Sequence, residues 1–184
     1  IMENNLKLRT IVPTEEELRF AQIHFMPYTK AEKKEFARMQ NLKPATPSDV
    51  ERLQEEVGPL PVDYVDFLTT QNGGRPKPSV CKSLKGRKHI VAHLLALSYE
   101  LKFYLSITNY LNVYQGRIPS KSLPIGDSPG GDVFLLDLRD EEFGAVLYWR
   151  HESESENDGS DYYGNVSKVA SSFSGFLSQF VGEE

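Results

Sequence analysis

The stretch LPIGDSPGGDVFLLDLRDEEFGAVLYWRHE, Leu123 to Glu152, is the most patterned part of the chain and decides its fold class. Two β-rich runs, DVFLLDL from Asp132 and GAVLYWRH from Gly144, are joined by the short polar RDEEF, which predicts an antiparallel hairpin. On the second run Trp149 and His151 alternate with Tyr148 and Arg150, so one set is expected to pack inward and the other to face solvent. The lone Trp149 is read as core, since large aromatic side chains dominate cores. Ahead of the hairpin, Asp127 and Asp132 bracket a Pro-Gly-Gly turn. Carboxylates beside glycines raise the question of a cation site. A calcium or magnesium site needs more oxygen ligands at regular spacing, and the EF-hand pattern is absent. The other reading is a turn, in which Asp127 bonds its own loop backbone and Gly130-Gly131 supply positive φ on the way into the strand.

Upstream lie helices. Thr46 suits an N-cap, Pro47 the first helical position, and Asp49 the positive helix end. Val50, Leu53 and Val57 mark one face before Gly58-Pro59 stops the helix. In LPVDYVDFLTTQNGG, Leu60, Tyr64, Phe67 and Leu68 fall on one stripe, and Asn72-Gly73-Gly74 supply left-handed capping. The basic, turn-rich RPKPSVCKSLKGRK, residues 75–88, is expected to be a long mobile loop between helix and sheet. HIVAHLLALS, apolar on both alternating faces, predicts one buried strand. Ser106 then caps a helix carrying Ile107, Tyr110, Leu111 and Tyr114 on one stripe, ended by Gly116.

The first forty residues hold two capping boxes, Thr14 with Glu17 and Thr29 with Glu32. The helices behind them carry moderate stripes (Leu18, Ala21, Phe25; Phe36, Met39, Leu42), with breaks at Pro27 and Lys43-Pro44. This predicts a helical N-terminal extension, residues 1–43, ahead of a domain at 44–184. Ile1 precedes what the sequence suggests is a natural start at Met2. Past the hairpin, ESESENDGSDYYG is an acidic loop, Val166 to Ala170 a short strand, and SSFSGFLSQFV a closing helix with Phe173, Phe176, Leu177 and Phe180 on one face. No internal repeat is visible. The order of elements predicts an α+β fold.

The 184 residues suit one domain plus an extension and can bury a core without staples. A single cysteine, Cys81, permits no internal disulfide, which points to a reducing, cytoplasmic setting. No run approaches the roughly 18 apolar residues of a membrane span, and no signal-peptide pattern opens the chain. A net charge of −5 argues against general nucleic-acid binding and leaves room for a basic partner.

Four elements together resemble the SUKH superfamily, which includes fungal cell-wall-assembly regulators and many bacterial immunity proteins. LPVDYVDFLTTQNGG resembles its Leu-Pro-x-x-Tyr-x-x-Phe-Leu…Asn-Gly-Gly element, and LPIGDSPGGDVFLLDL its Pro-Ile-Gly-Asp…Gly-Gly-Asp element. GAVLYWRHE is similar to its Gly-x-Val-x-x-Trp-x-His strand, and VASSFSGFLSQF to its closing helix. On this resemblance Tyr64, Phe67, Asn72, Gly73, Gly74, Asp127, Gly130, Gly131, Asp132 and Trp149 are structural signature positions. The resemblance implies a mostly antiparallel sheet flanked by helices and no catalytic residues. It also implies a job, since bacterial members commonly bind and neutralise a polymorphic toxin, often a nuclease or deaminase.

The remaining candidates are weighed against ordinary structural roles. His89 and His93 share one side of a strand or helix, but the glutamate of a zinc protease and a third ligand are both missing. Cys81 sits among Arg75, Lys82, Lys85 and Lys88, and positive charge can depress a thiol pKa. No orienting group accompanies it, so an ordinary loop cysteine is expected. The basic segment lacks interleaved aromatic residues and suggests no base stacking. The acidic loop brings Glu152, Glu154, Glu156, Asp158 and Asp161 beside Tyr162 and Tyr163. It is either a self-repelling disordered loop or a surface that steers and anchors a basic protein. The expectation is therefore a non-enzymatic protein-binding module without cofactor or metal, an immunity protein whose toxin is encoded nearby. A regulatory or scaffold adaptor is the alternative, and a small-ligand or metal binder using the two aspartates the third.

Overall fold

The computed structural model describes residues 5–24, 28–39, 41–101 and 104–182, with the backbone alone for 21–24. The expected stripe positions Ala21 and Phe25, the break at Pro27 and the start at Ile1-Met2 lie outside the described residues or side chains. The chain runs β1 (Lys7–Arg9), α1 (Glu15–His24), α2 (Lys30–Arg38), α3 (Pro47–Val57), α4 (Val62–Thr70), β2 (Arg75–Lys77), β3 (Val80–Lys82), β4 (Lys88–Ile90) and β5 (His93–Leu94). It continues through α5 (Ile107–Tyr114), β6 (Ser122–Asp127), β7 (Val133–Asp137), β8 (Val146–Trp149), β9 (Val166–Ala170), α6 (Phe173–Ser178) and β10 (Phe180–Val181).

The fold is α+β, and its named strands pair antiparallel throughout. A five-stranded sheet has the order β5-β6-β7-β8-β9, a three-stranded one β10-β3-β4, and β1 pairs with β2. The predicted hairpin is β7-β8, with Val133 opposite Trp149 and Leu136 opposite Val146. Every residue of β7 is buried, because both faces of the sheet are covered. Phe134 and Leu136 join the larger core with Tyr64, Phe67, Phe173 and Phe176, whereas Val133 and Leu135 pack with Ile118, Leu147 and Trp149 under α5. Trp149 is fully buried and Tyr148, Arg150 and His151 are all half-buried, so neither alternating set of β8 faces bulk solvent as the period-2 reading expected.

The caps at Thr14, Thr29, Thr46 and Ser106 all form. Thr46 Oγ1 accepts from the Asp49 N–H at 3.1 Å while Asp49 Oδ2 accepts from the Thr46 N–H at 3.0 Å. Gly58 caps α3 at φ +94°. Asn72, at φ +54°, turns the chain out of α4. Its side chain donates to the carbonyls of Lys43 and Leu97 and accepts from the Leu97 N–H, each near 2.9 Å. Three hydrogen bonds, the two to Leu97 buried, explain an Asn here rather than any residue able to take that φ.

The expected closing helix stops at Ser178, and Phe180–Val181 instead form β10, paired with β3. Two further segments differ from expectation. Residues 75–88 are not one mobile loop: they hold β2, β3 and the tight turn into β4. Lysines 77, 82 and 88 project outward while Pro76 and Cys81 are buried, so the positive charge that suggested a solvated loop marks the outer face of short strands. The HIVAHLLALS run is likewise split, because β4 pairs with β3 and β5 with β6. His89 and His93 thus belong to different sheets. The expected extension carries β1 as well as two helices, and Leu6, Ile11, Leu18, Tyr28 and Phe36 enter the main core.

Candidate functional site

Asp127 and Asp132 each anchor a histidine and a tyrosine. Asp127 lies opposite His93 in the β5-β6 register; Oδ1 accepts from His93 Nδ1 at 2.8 Å and Oδ2 from the Tyr110 hydroxyl at 2.6 Å. At Asp132, Oδ1 accepts from the His151 backbone N–H at 3.0 Å and from His151 Nδ1 at 2.7 Å, and Oδ2 from the Tyr148 hydroxyl. A carboxylate only accepts, so Nδ1 carries the hydrogen in each imidazole. Burial alone would raise the Asp132 carboxyl, but the donors from Tyr148 and His151 outweigh it and hold the group below its ordinary value. Burial, reinforced by Asp132, pushes the Tyr148 hydroxyl up to about 12. Tyr110 is raised further, by burial first and then by Asp127.

The turn reading of Asp127 therefore needs correction. Its carboxylate serves α5 and β5, and the turn closes through Ser128 instead. Ser128 Oγ accepts from the Asp132 N–H, and the Ser128 carbonyl from the Gly131 N–H. Gly131, at φ +92°, is the glycine of the pair with positive φ. Among the described residues, no three His, Cys, Asp or Glu side chains gather where a metal ion could sit.

A cavity of about 450 Å³ opens beside the Asp127 cluster, between α1 and α5. Phe20, Tyr104, Tyr110 and Tyr114 contribute rings to its wall, and Glu17 and Asp127 carboxylates. The Tyr104 hydroxyl donates to Glu17 Oε2 at 3.4 Å, and Arg75 pairs with the same oxygen. At the far end of α5, Arg117 lies over the Tyr114 ring at 4.8 Å and forks onto Glu154 through Nε at 2.9 Å and Nη2 at 3.0 Å.

That fork ties down the acidic loop. The Gly159 N–H donates to the Gly116 carbonyl at 2.7 Å, the Ser120 N–H to the Ser160 carbonyl at 2.9 Å, and Asn165 Nδ2 to the Arg150 carbonyl at 2.7 Å. The loop is thus ordered against the α5-β6 connection, not held apart by its own charge. Glu154 and Tyr163 turn to internal partners, Tyr163 lying under Arg139 at 4.2 Å. Glu152, Glu156, Asp158, Asp161 and Tyr162 remain exposed. Tyr114 borders both the cavity and the Arg117–Glu154 fork, so the aromatic cavity adjoins the base of the carboxylate-rich loop.

A model of the SMI1 / KNR4 family (SUKH-1) matches residues 44–179. The chain belongs to this family. No curated protein matches it. The SMI1 / KNR4 unit spans α3 to α6, so Glu17 and Phe20 on α1 lie outside it. Of its signature positions, Tyr64 and Phe67 pack on Phe173, each with ring centroids 4.9 Å apart. A side chain at Gly73, φ +87°, would place its Cβ 2.9 Å from the Leu94 carbonyl oxygen, and one at Gly74 2.9 Å from Leu8 Cβ. Gly130 has open space around it.

His89 is buried and packs on Tyr148 with centroids 4.3 Å apart; burial, with Arg87 and Arg150 nearby, lowers its pKa. Cys81, expected in an exposed basic loop, is fully buried opposite His89 on β3, and burial pushes its thiol up to about 12. The basic neighbours project away from it because strand residues alternate. Sequence reading missed His93, Tyr110, Tyr104 and Arg117 as members of this face. The available signal was the family's Gly-Asp element, where an aspartate ends a strand beside a tyrosine-bearing helix.

Proposed function

We propose that this SMI1 / KNR4 chain is a non-enzymatic binding module, acting as an immunity protein that neutralises a toxin of the nuclease or deaminase type encoded nearby. The mechanism is steric and electrostatic. An acidic, aromatic-bearing face covers the active site of a basic toxin, and the outward carboxylates accelerate encounter. The single observation that supports this reading is the acidic loop, fastened by the Arg117–Glu154 fork with Glu152, Glu156, Asp158 and Asp161 left exposed, on a fold of this family. Each imidazole–aspartate pair meets a tyrosine rather than a serine or cysteine, and those tyrosines are held protonated, which favours positioning over nucleophilic chemistry. Residues 1–43 act in this reading as an addition that completes the face. Work in the cytoplasm fits the free, buried cysteine.

Co-expression with the toxin encoded beside its gene tests the proposal. Rescue of growth and a complex on size exclusion are expected. Unchanged killing with no complex would refute the immunity role for that toxin and favour the regulatory-adaptor alternative, in which no toxin gene need adjoin.

A further inference from the structure

We propose that the cavity between α1 and α5 receives a cationic side chain, lysine or arginine, presented by a protein partner. The inference rests on the binding-module reading and names what the partner must carry. Four carbocyclic rings line the space, those of Phe20, Tyr104, Tyr110 and Tyr114, together with the His93 imidazole; among the described residues the acids on the wall are Glu17 and Asp127, and no lysine or arginine lines it. The two acids hold the tyrosines in place, since Tyr104 donates to Glu17 and Tyr110 to Asp127. Each hydroxyl hydrogen is thereby committed to a carboxylate, and the rings remain neutral phenols with electron-rich faces. A cation over such a face is attracted by the ring quadrupole, more strongly when water is excluded.

The charge balance favours a cation over other guests. Arg75 already offsets Glu17 from outside the wall, but the partners of Asp127 are an imidazole and a phenol. An anionic guest would meet that carboxylate; a neutral apolar guest would desolvate it without compensation. The molecule already uses this contact internally: the Arg117 guanidinium lies 4.8 Å from the centre of the Tyr114 ring. A volume of about 450 Å³ leaves room for a long cationic side chain and lies within the general range of binding clefts. Part of the wall, Glu17 and Phe20, comes from α1, outside the matched residues 44–179, so this chemistry belongs to the chain rather than to the family fold.

Titration of the full chain with a capped Gly-Arg-Gly peptide, followed through tyrosine ring resonances, tests the proposal. Saturable binding on the order of millimolar is expected, with Tyr110 and Tyr114 shifting and the Gly-Gln-Gly peptide at least about ten-fold weaker. Phe20→Ala, a change at an exposed rim position, is expected to weaken the arginine peptide about five-fold without altering the fold. Equal binding of the two peptides, or no tyrosine response, would overturn the proposal. Agmatine, a guanidine without peptide backbone, provides the other arm: tighter binding than the peptide would make this a small-molecule site and overturn the assignment to a protein partner. A toxin complex that forms normally while the peptide fails to bind would remove the cavity's role and leave the immunity reading standing.

Discussion

Tyr110 donates its hydroxyl hydrogen to Asp127 Oδ2 at 2.6 Å, joining the middle of α5 to the end of β6. Tyr110→Phe keeps the ring and deletes that donor, leaving a half-buried carboxylate with His93 alone. A loss of about 1–2 kcal/mol is expected in urea denaturation, with the slope unchanged. A variant as stable as the parent would show that the bond does not hold α5 in place.

Asp132 gives a pH signature. Its folded carboxyl titrates below the ordinary value near 3.9, so its contribution is fully present above about pH 4–5 and is lost as pH falls through the depressed folded value. Asp132→Asn should therefore be less stable than the parent from pH 7 to about 5, and the two should converge in acid. The difference in unfolding midpoint across that range is the measurement; a gap that widens in acid would contradict the sign.

The turn after α4 depends on one side chain and one glycine. Asn72→Ala removes three hydrogen bonds, two of them buried, and is expected to cost about 3 kcal/mol. Gly73→Ala forces a Cβ toward the Leu94 carbonyl at positive φ and should cost at least about 1–2 kcal/mol. Thermal melts of both variants check this, and a neutral Asn72→Ala would refute the account of the turn.

Cys81 should behave as an inert thiol. With full burial and a pKa near 12, its reaction with a thiol reagent at pH 8 is expected to follow global unfolding and to accelerate steeply in urea. Immediate labelling of the native chain would mean that β3 opens locally.

These variants also mark what a sequence can disclose. The β7-β8 hairpin, the helix caps and the phenylalanines of α6 were legible because each is written in neighbouring residues: apolar runs, a threonine three places before an acid, a 3.6 period. The partners of Asp127 were not, since His93 and Tyr110 lie 34 and 17 residues away and no local pattern links them. The Arg117–Glu154 fork spans 37 residues and was hidden for the same reason. Strands of two or three residues, such as β3 and β4, are too short for a clear alternation. In HIVAHLLALS uniform apolarity conceals the switch from one sheet to another, since both segments are buried. The N-terminal strand β1 was missed because Lys-Leu-Arg carries only one apolar side chain.

The claim that the acidic face is the binding surface is tested most directly by stopped-flow association with the proposed toxin partner. The comparison is between the parent and a triple variant, Glu152→Gln, Glu156→Gln and Asp161→Asn, whose positions are all exposed. The account predicts an association rate at least about ten-fold lower for the variant at low salt, with the difference shrinking as ionic strength rises. An unchanged rate at every salt concentration would place the binding surface elsewhere.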